Sequence, residues 1–90
     1  MTVKEGTFTI VNRLGLHARA AAQLVQTANR FTATVHVEKE GEEVNGKSIM
    51  GILMLAAPKG SSIRITVSGD DADEAYRVLA ALIEDGFGED

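Results

Sequence analysis

The sequence predicts an α+β fold in the order β-α-β-β-α-β-α, with a single sheet covered on one face by helices. Three observations lead there. Stretches of period-two alternation are separated by stretches of helical spacing. The chain has 90 residues, enough for one modest core, so residues 1–90 are read as one domain. Hydrophobic residues make up 44% and charged residues 24%, which is a globular balance. With only 4% aromatics, that core must be aliphatic.

The elements follow in order. Thr7–Val11 reads TFTIV, with Phe8 and Ile10 alternating with threonines as in a half-buried strand. Asn12 to Leu16 breaks the pattern. From Ala18 to about Ala28 the spacing is helical, with Ala18, Ala21, Val25 and Ala28 on one stripe and Leu24 beside them. Thr32–Glu38 alternates again, Ala33, Val35 and Val37 on one face and His36 on the polar face. KEGEE is a turn, after which Glu43–Asn45 pairs back as a short strand. Ser48 stands where it would N-cap a helix from Ile49 to about Leu55, with Ile52, Leu55 and Ala56 inward. Pro58-Lys59-Gly60 is a turn. Ser61–Val67 is the fourth strand, with Ile63, Ile65 and Val67 inward. Asp71 with Glu74 has the spacing of a capping box, opening a helix that buries Ala75, Leu79, Leu82 and Ile83. Gly86 stops it, and Phe87 to Asp90 are expected to fray.

Several function classes drop out. A net charge of −4 argues against a general nucleic-acid or anionic-membrane surface. The absence of cysteine excludes a disulfide scaffold, a thiolate metal site and thiol catalysis. The N-terminal stretch has no signal-peptide run and no segment is long enough to span a bilayer, so a soluble, cytoplasmic, monomeric protein is expected. The two histidines, His17 and His36, have no tight cluster of carboxylates around them, so neither a metal nor a cofactor is expected.

The stretch GLHARAAAQLVQ, Gly15 to Gln26, carries the chemistry. His17 immediately precedes the first helix, where unpaired N–H groups and the helix dipole favour anions. That environment pushes an imidazole toward its neutral, nucleophilic form. Arg19 adds a cation two residues on. Nucleophile, anion cradle and cation within three residues suit reversible phosphoryl transfer, although a histidine at such a junction is more often a cap or a surface residue.

A second stretch, NGKSIMGILML from Asn45 to Leu55, completes a pattern with GLHAR. Together they resemble the HPr family, the histidine-containing phosphocarriers of the bacterial sugar phosphotransferase system, over nearly the whole chain. The resemblance implies an open-faced β-sandwich, a four-stranded antiparallel sheet covered on one face by three helices. It implies that His17 takes a phosphoryl group on Nδ1 from phospho-enzyme I and gives it to IIA domains, with Arg19 contacting the phosphate. It also implies that Ser48 is a regulatory phosphorylation site, the substrate of an HPr kinase/phosphorylase in many bacteria. A member of this family is a stoichiometric carrier and not an enzyme in its own right. The main alternative within the resemblance is a regulatory binding module for carbon or nitrogen signalling, with little sugar flux.

Ile49, Met50 and Leu53 admit two readings. Helical spacing fits a core position, but Ile52, Leu55 and Ala56 already supply an inward stripe, so an exposed apolar docking patch is the other. The family usually reads GLHARPA, and this chain has Ala20 at the proline position. Proline there presets φ without touching phosphate, so the substitution bears on rigidity more than on chemistry.

Overall fold

Ile63, Ile65 and Val67 alternate with polar residues along the fourth strand, and all three are buried. That strand is the spine of the sheet. The structure, a computed structural model, describes residues 2–89. The strands are β1 (Thr2–Thr9), β2 (Thr34–Lys39), β3 (Glu42–Asn45) and β4 (Ser62–Gly69); the helices are α1 (Ala18–Ala28), α2 (Ile49–Leu55) and α3 (Ala72–Glu84). A 3₁₀ turn, Gly86–Gly88, follows. The sheet order is β1-β4-β2-β3, and every pairing is antiparallel. The expected order β-α-β-β-α-β-α and the open-faced, four-stranded sheet with three helices are both present.

Register places the core. Phe8 faces Ile63 across β1–β4, while Val35 faces Val67 and Val37 faces Ile65 across β2–β4. Leu24 of α1, Ile52 of α2, and Leu79 and Ile83 of α3 close over this face with no exposure. The other face carries charge: Arg64 meets Glu38 at 2.5 Å and Glu5 at 3.7 Å, and His36 is exposed, 3.8 Å from Glu43.

Some expectations need correction. The first strand starts at Thr2 and ends at Thr9, not Thr7–Val11. Its early residues pair by backbone with β4 at the sheet edge, which requires no apolar alternation. Ile10 is buried beyond the strand, and Val11 is 46% exposed. On α1 the buried stripe is Ala20, Ala21, Leu24 and Ala28; Ala18 is exposed and Val25 half-buried. Ala56 is not inward but exposed, the left-handed C-cap of α2, and Ala57 fills the core in its place. Leu82 is only half-buried.

Asp71 makes no cap bond to its own helix. Its two carboxylate oxygens accept the N–H groups of Thr32 at 2.9 Å and Ala33 at 2.8 Å, which ties the start of α3 to the entrance of β2. The Thr32 bond and, less strongly, the Ala33 bond hold its carboxyl below the usual range. The expectation that Phe87 to Asp90 fray also fails where they are described. Phe87 is 2% exposed and packs into the core; Asp90 lies outside the described residues.

Candidate functional site

The loop before α1 is laced to the loop after α2. Ile10 N–H donates to Ser61 O at 2.9 Å, Gly60 N–H to Ile10 O at 2.8 Å, and Leu16 N–H to Ala57 O at 2.9 Å. Gly15 makes the approach possible. Its φ is +67°, and a Cβ there would stand 2.5 Å from Ala57 O and 2.8 Å from Pro58 Cα. The next residue but one, His17, is the N-cap of α1, with extended backbone and no side-chain cap bond. Its ring is therefore free of the helix it heads. The first-turn N–H groups, which have no partner four residues back, point toward the same end.

His17 sits in an open depression of about 550 Å³ lined by Arg13, Leu14, His17, Ala18, Arg19 and Glu89. Two arginines, a helix N-terminus and an imidazole thus share one hollow. The expected pair, His17 and Arg19, is brought together. A second, shallower hollow joins His17 to Leu14, Leu16, Ala56, Ala57 and Pro58, so the C-terminal end of α2 borders the site.

The sequence did not signal Glu89. Its Oε1 lies 2.7 Å from His17 Nε2. The same oxygen accepts from Asn12 Nδ2 at 2.9 Å, and Asn12 Nδ2 also donates to Gly15 O at 2.7 Å. Asn12 is 1% exposed, a buried polar group that spans from the loop before α1 to the far end of the chain. The Asn12 bond, then the His17 bond, holds the Glu89 carboxyl below the usual carboxylate range, against the opposing effect of desolvation. Among the described residues no group of three or more His, Cys, Asp or Glu is arranged to hold a metal ion. None of the helices there is long and apolar enough to cross a membrane.

Ser48 caps α2: its Oγ accepts from Gly51 N–H at 3.1 Å. From Ser48 to Ala56, α2 runs about 12 Å at 1.5 Å per residue, so the serine and the histidine border opposite ends of one short helix. Ile49 is 39% exposed, Met50 67% and Leu53 38%; Met54, at 65%, and Leu14, at 60%, extend the apolar surface. The open-patch reading of α2 therefore describes these side chains, while Ile52 and Leu55 serve the core. Gly51 fits where a Cβ would meet Val44 Cβ at 3.2 Å.

Fold and hollow together have the outline of a small histidine phosphocarrier. The family model described as the PTS HPr component phosphorylation site matches residues 4–85. Phosphocarrier protein HPr of Xylella fastidiosa (strain Temecula1) is 46% identical over 86 residues, covering 96% of this chain and 97% of that one. Its counterpart in Neisseria meningitidis serogroup B is 52% identical over 80 residues, 89% and 90% of the two chains. Among solved structures, HPr-C-His from Thermoanaerobacter tengcongensis superposes with a TM-score of 0.93 at 48% identity, over 97% of this chain and 98% of that one. The chain belongs to the HPr family of phosphocarriers. HPr-like protein Crh of Bacillus subtilis is also similar, 47% identical over 73 residues, 81% of this chain and 86% of that one. An HPr dimer from Thermoanaerobacter tengcongensis matches at a TM-score of 0.78 and 49% identity, over 96% of this chain and 99% of that one.

Proposed function

We propose that this chain is a phosphoryl relay of the phosphoenolpyruvate-dependent sugar phosphotransferase system, with His17 as its acceptor. The observation that carries the reading is His17 at the N-terminus of α1, beside Arg13 and Arg19, in a chain of the HPr family. The His17 Nδ1 lone pair forms the bond to phosphorus. The bond from phosphorus to the donor, phospho-enzyme I, breaks, and its electron pair returns to the donor. The α1 N–H groups and Arg19 stabilise the charge on the phosphoryl oxygens. The reverse sequence on a IIA domain empties the carrier. The protein works stoichiometrically in the cytoplasm, as a monomer, and its partners supply the rest of each active site, so it is not an enzyme by itself.

Ile49, Met50 and Leu53 form the docking patch for both partners, adjoining His17 through the C-terminal end of α2. Ser48, at the other end of that helix, is the regulatory phosphorylation site for an HPr kinase/phosphorylase. Likeness to the HPr-like protein Crh keeps a regulatory module as the second reading, but His17 would be dispensable in a protein that acted only through Ser48. The test is incubation with enzyme I and labelled phosphoenolpyruvate. One label per chain, absent in His17→Ala, is expected of a carrier; an unlabelled parent protein would leave the regulatory module.

A further inference from the structure

We propose that Glu89 is a positioning residue of the relay, acting on the nitrogen of His17 that the phosphoryl group does not use; the inference rests on His17 being the acceptor. Glu89 Oε1 and His17 Nε2 are 2.7 Å apart, the separation of a charge-assisted hydrogen bond. The bonds from Asn12 and His17 favour the ionised form of the Glu89 carboxyl, so it has no proton to give at neutral pH. The proton in this bond therefore belongs to the ring and sits on Nε2. A neutral imidazole protonated on Nε2 carries its free lone pair on Nδ1. Glu89 thus selects the tautomer in which Nδ1 is the nucleophile.

The carboxylate has a second effect. When the Nδ1 lone pair bonds to phosphorus, positive charge develops over the ring, and the Nε2 proton stays in place. No proton has to leave for the N–P bond to form, and an ionised carboxylate at Nε2 stabilises the ring charge, as a triad aspartate does for its histidine. The carboxylate is itself held in place. Asn12, buried and braced on Gly15 O, donates to it, and the buried Phe87 anchors the turn just before it. The other charges facing the hollow are Arg13 and Arg19, both cations, and they offset the repulsion between Glu89 and an incoming phosphoryl group.

The test uses the full chain with its histidines labelled with ¹⁵N. Long-range ¹H–¹⁵N spectra of the unphosphorylated protein at about pH 8, above the ordinary histidine range, read the tautomer directly. In the parent, His17 should be a single form with Nε2 protonated and Nδ1 bare. In Glu89→Ala the Nδ1-protonated form should gain population, and phosphoryl transfer from enzyme I should slow about tenfold, by analogy with the lower end of the loss when the hydrogen-bond partner of a metal-bound histidine is removed. In Glu89→Gln the amide oxygen can still accept from Nε2, so the tautomer should be restored while the rate stays low for want of charge. A parent protonated mainly on Nδ1, or a Glu89→Ala protein with the parent's tautomer ratio or the parent's rate, would overturn the proposal. A parent that enzyme I does not label at all would instead defeat the carrier reading, and is told apart because the tautomer spectra need no phosphate.

Discussion

Glu89 and His17 are 72 positions apart in the chain and 2.7 Å apart in space. The bond closes the site with a residue distant in sequence, and it engages Nε2 of His17, leaving Nδ1 uncovered by Glu89. What remains open is the hollow with Arg13 and Arg19, where an incoming anion would meet two cations and a helix N-terminus.

Arg19 is exposed, and no hydrogen bond or ion pair ties it to the other described residues beyond a weak electrostatic influence on Glu89, so its role should show mainly when phosphate arrives. Arg19→Ala should slow transfer about 10- to 100-fold, the loss of one charge-assisted hydrogen bond of about 1.5–3 kcal/mol. Its unfolding free energy should stay within about 0.5 kcal/mol of the parent. Stopped transfer assays alongside thermal unfolding check both, and equal rates would remove Arg19 from the mechanism.

Ser48 has a structural duty that can be separated from its regulatory one. Ser48→Ala removes the cap bond to Gly51 and should cost about 1 kcal/mol, leaving transfer from enzyme I intact. Phosphorylation adds about −1.5 to −2 charges beside Ile49 and Met50, where docking would have to desolvate them. Affinity for enzyme I should fall with the fold preserved, and Ser48→Asp should reproduce part of the loss. Titration of enzyme I against each form, with unfolding followed in parallel, decides it; unchanged affinity would withdraw the docking patch.

Gly15 lets the loop before His17 lie against Ala57. Gly15→Ala must hold a left-handed φ and push against a carbonyl oxygen, so it should lose at least about 1 kcal/mol of stability and slow phosphoryl transfer by displacing His17. Denaturant unfolding and the same transfer assay measure the two effects; a variant as stable as the parent would contradict the packing described.

Asp71 predicts a dependence on acid. Its carboxyl is held below the usual range by the Thr32 and Ala33 N–H groups, so its stabilisation is complete above the unfolded value of about 3.9 and disappears as pH falls through its lowered native value. Asp71→Asn should be less stable than the parent at neutral pH, and the gap should close at the acid end. Unfolding midpoints of both proteins across that range test this; a gap that is constant with pH would mean that the charge is not what the N–H groups hold.

The strands and helices were legible where burial is one-sided. Val35, Val37, Ile63, Ile65 and Val67 alternate because one face of the sheet meets helices and the other water, and that contrast is local. The edge half of β1 was not legible, because Thr2 to Glu5 join the sheet through backbone pairing with β4 and exposed polar contacts such as Arg64–Glu5, which leave no apolar alternation. Asp71 showed a helix-cap pattern, yet donors from another element outcompete its own helix for the carboxylate. At the site, GLHAR marked His17 and Arg19, since both belong to one turn of helix. Asn12 and Glu89 stayed hidden because their roles come from contacts that close only when the chain folds. Phe87 was the available signal: phenylalanine is among the residues most often buried, and burying it ties down the turn that leads to Glu89.

The most direct measurement is the position of the phosphoryl group in the protein labelled by enzyme I and phosphoenolpyruvate, read by ³¹P–¹⁵N coupling with ¹⁵N-labelled histidine. The expected result is a single phosphorus bonded to Nδ1 of His17, in a linkage labile in acid and stable in alkali. Phosphorus on Nε2, where Glu89 is bound, or an acid-stable ester on Ser48, would contradict it.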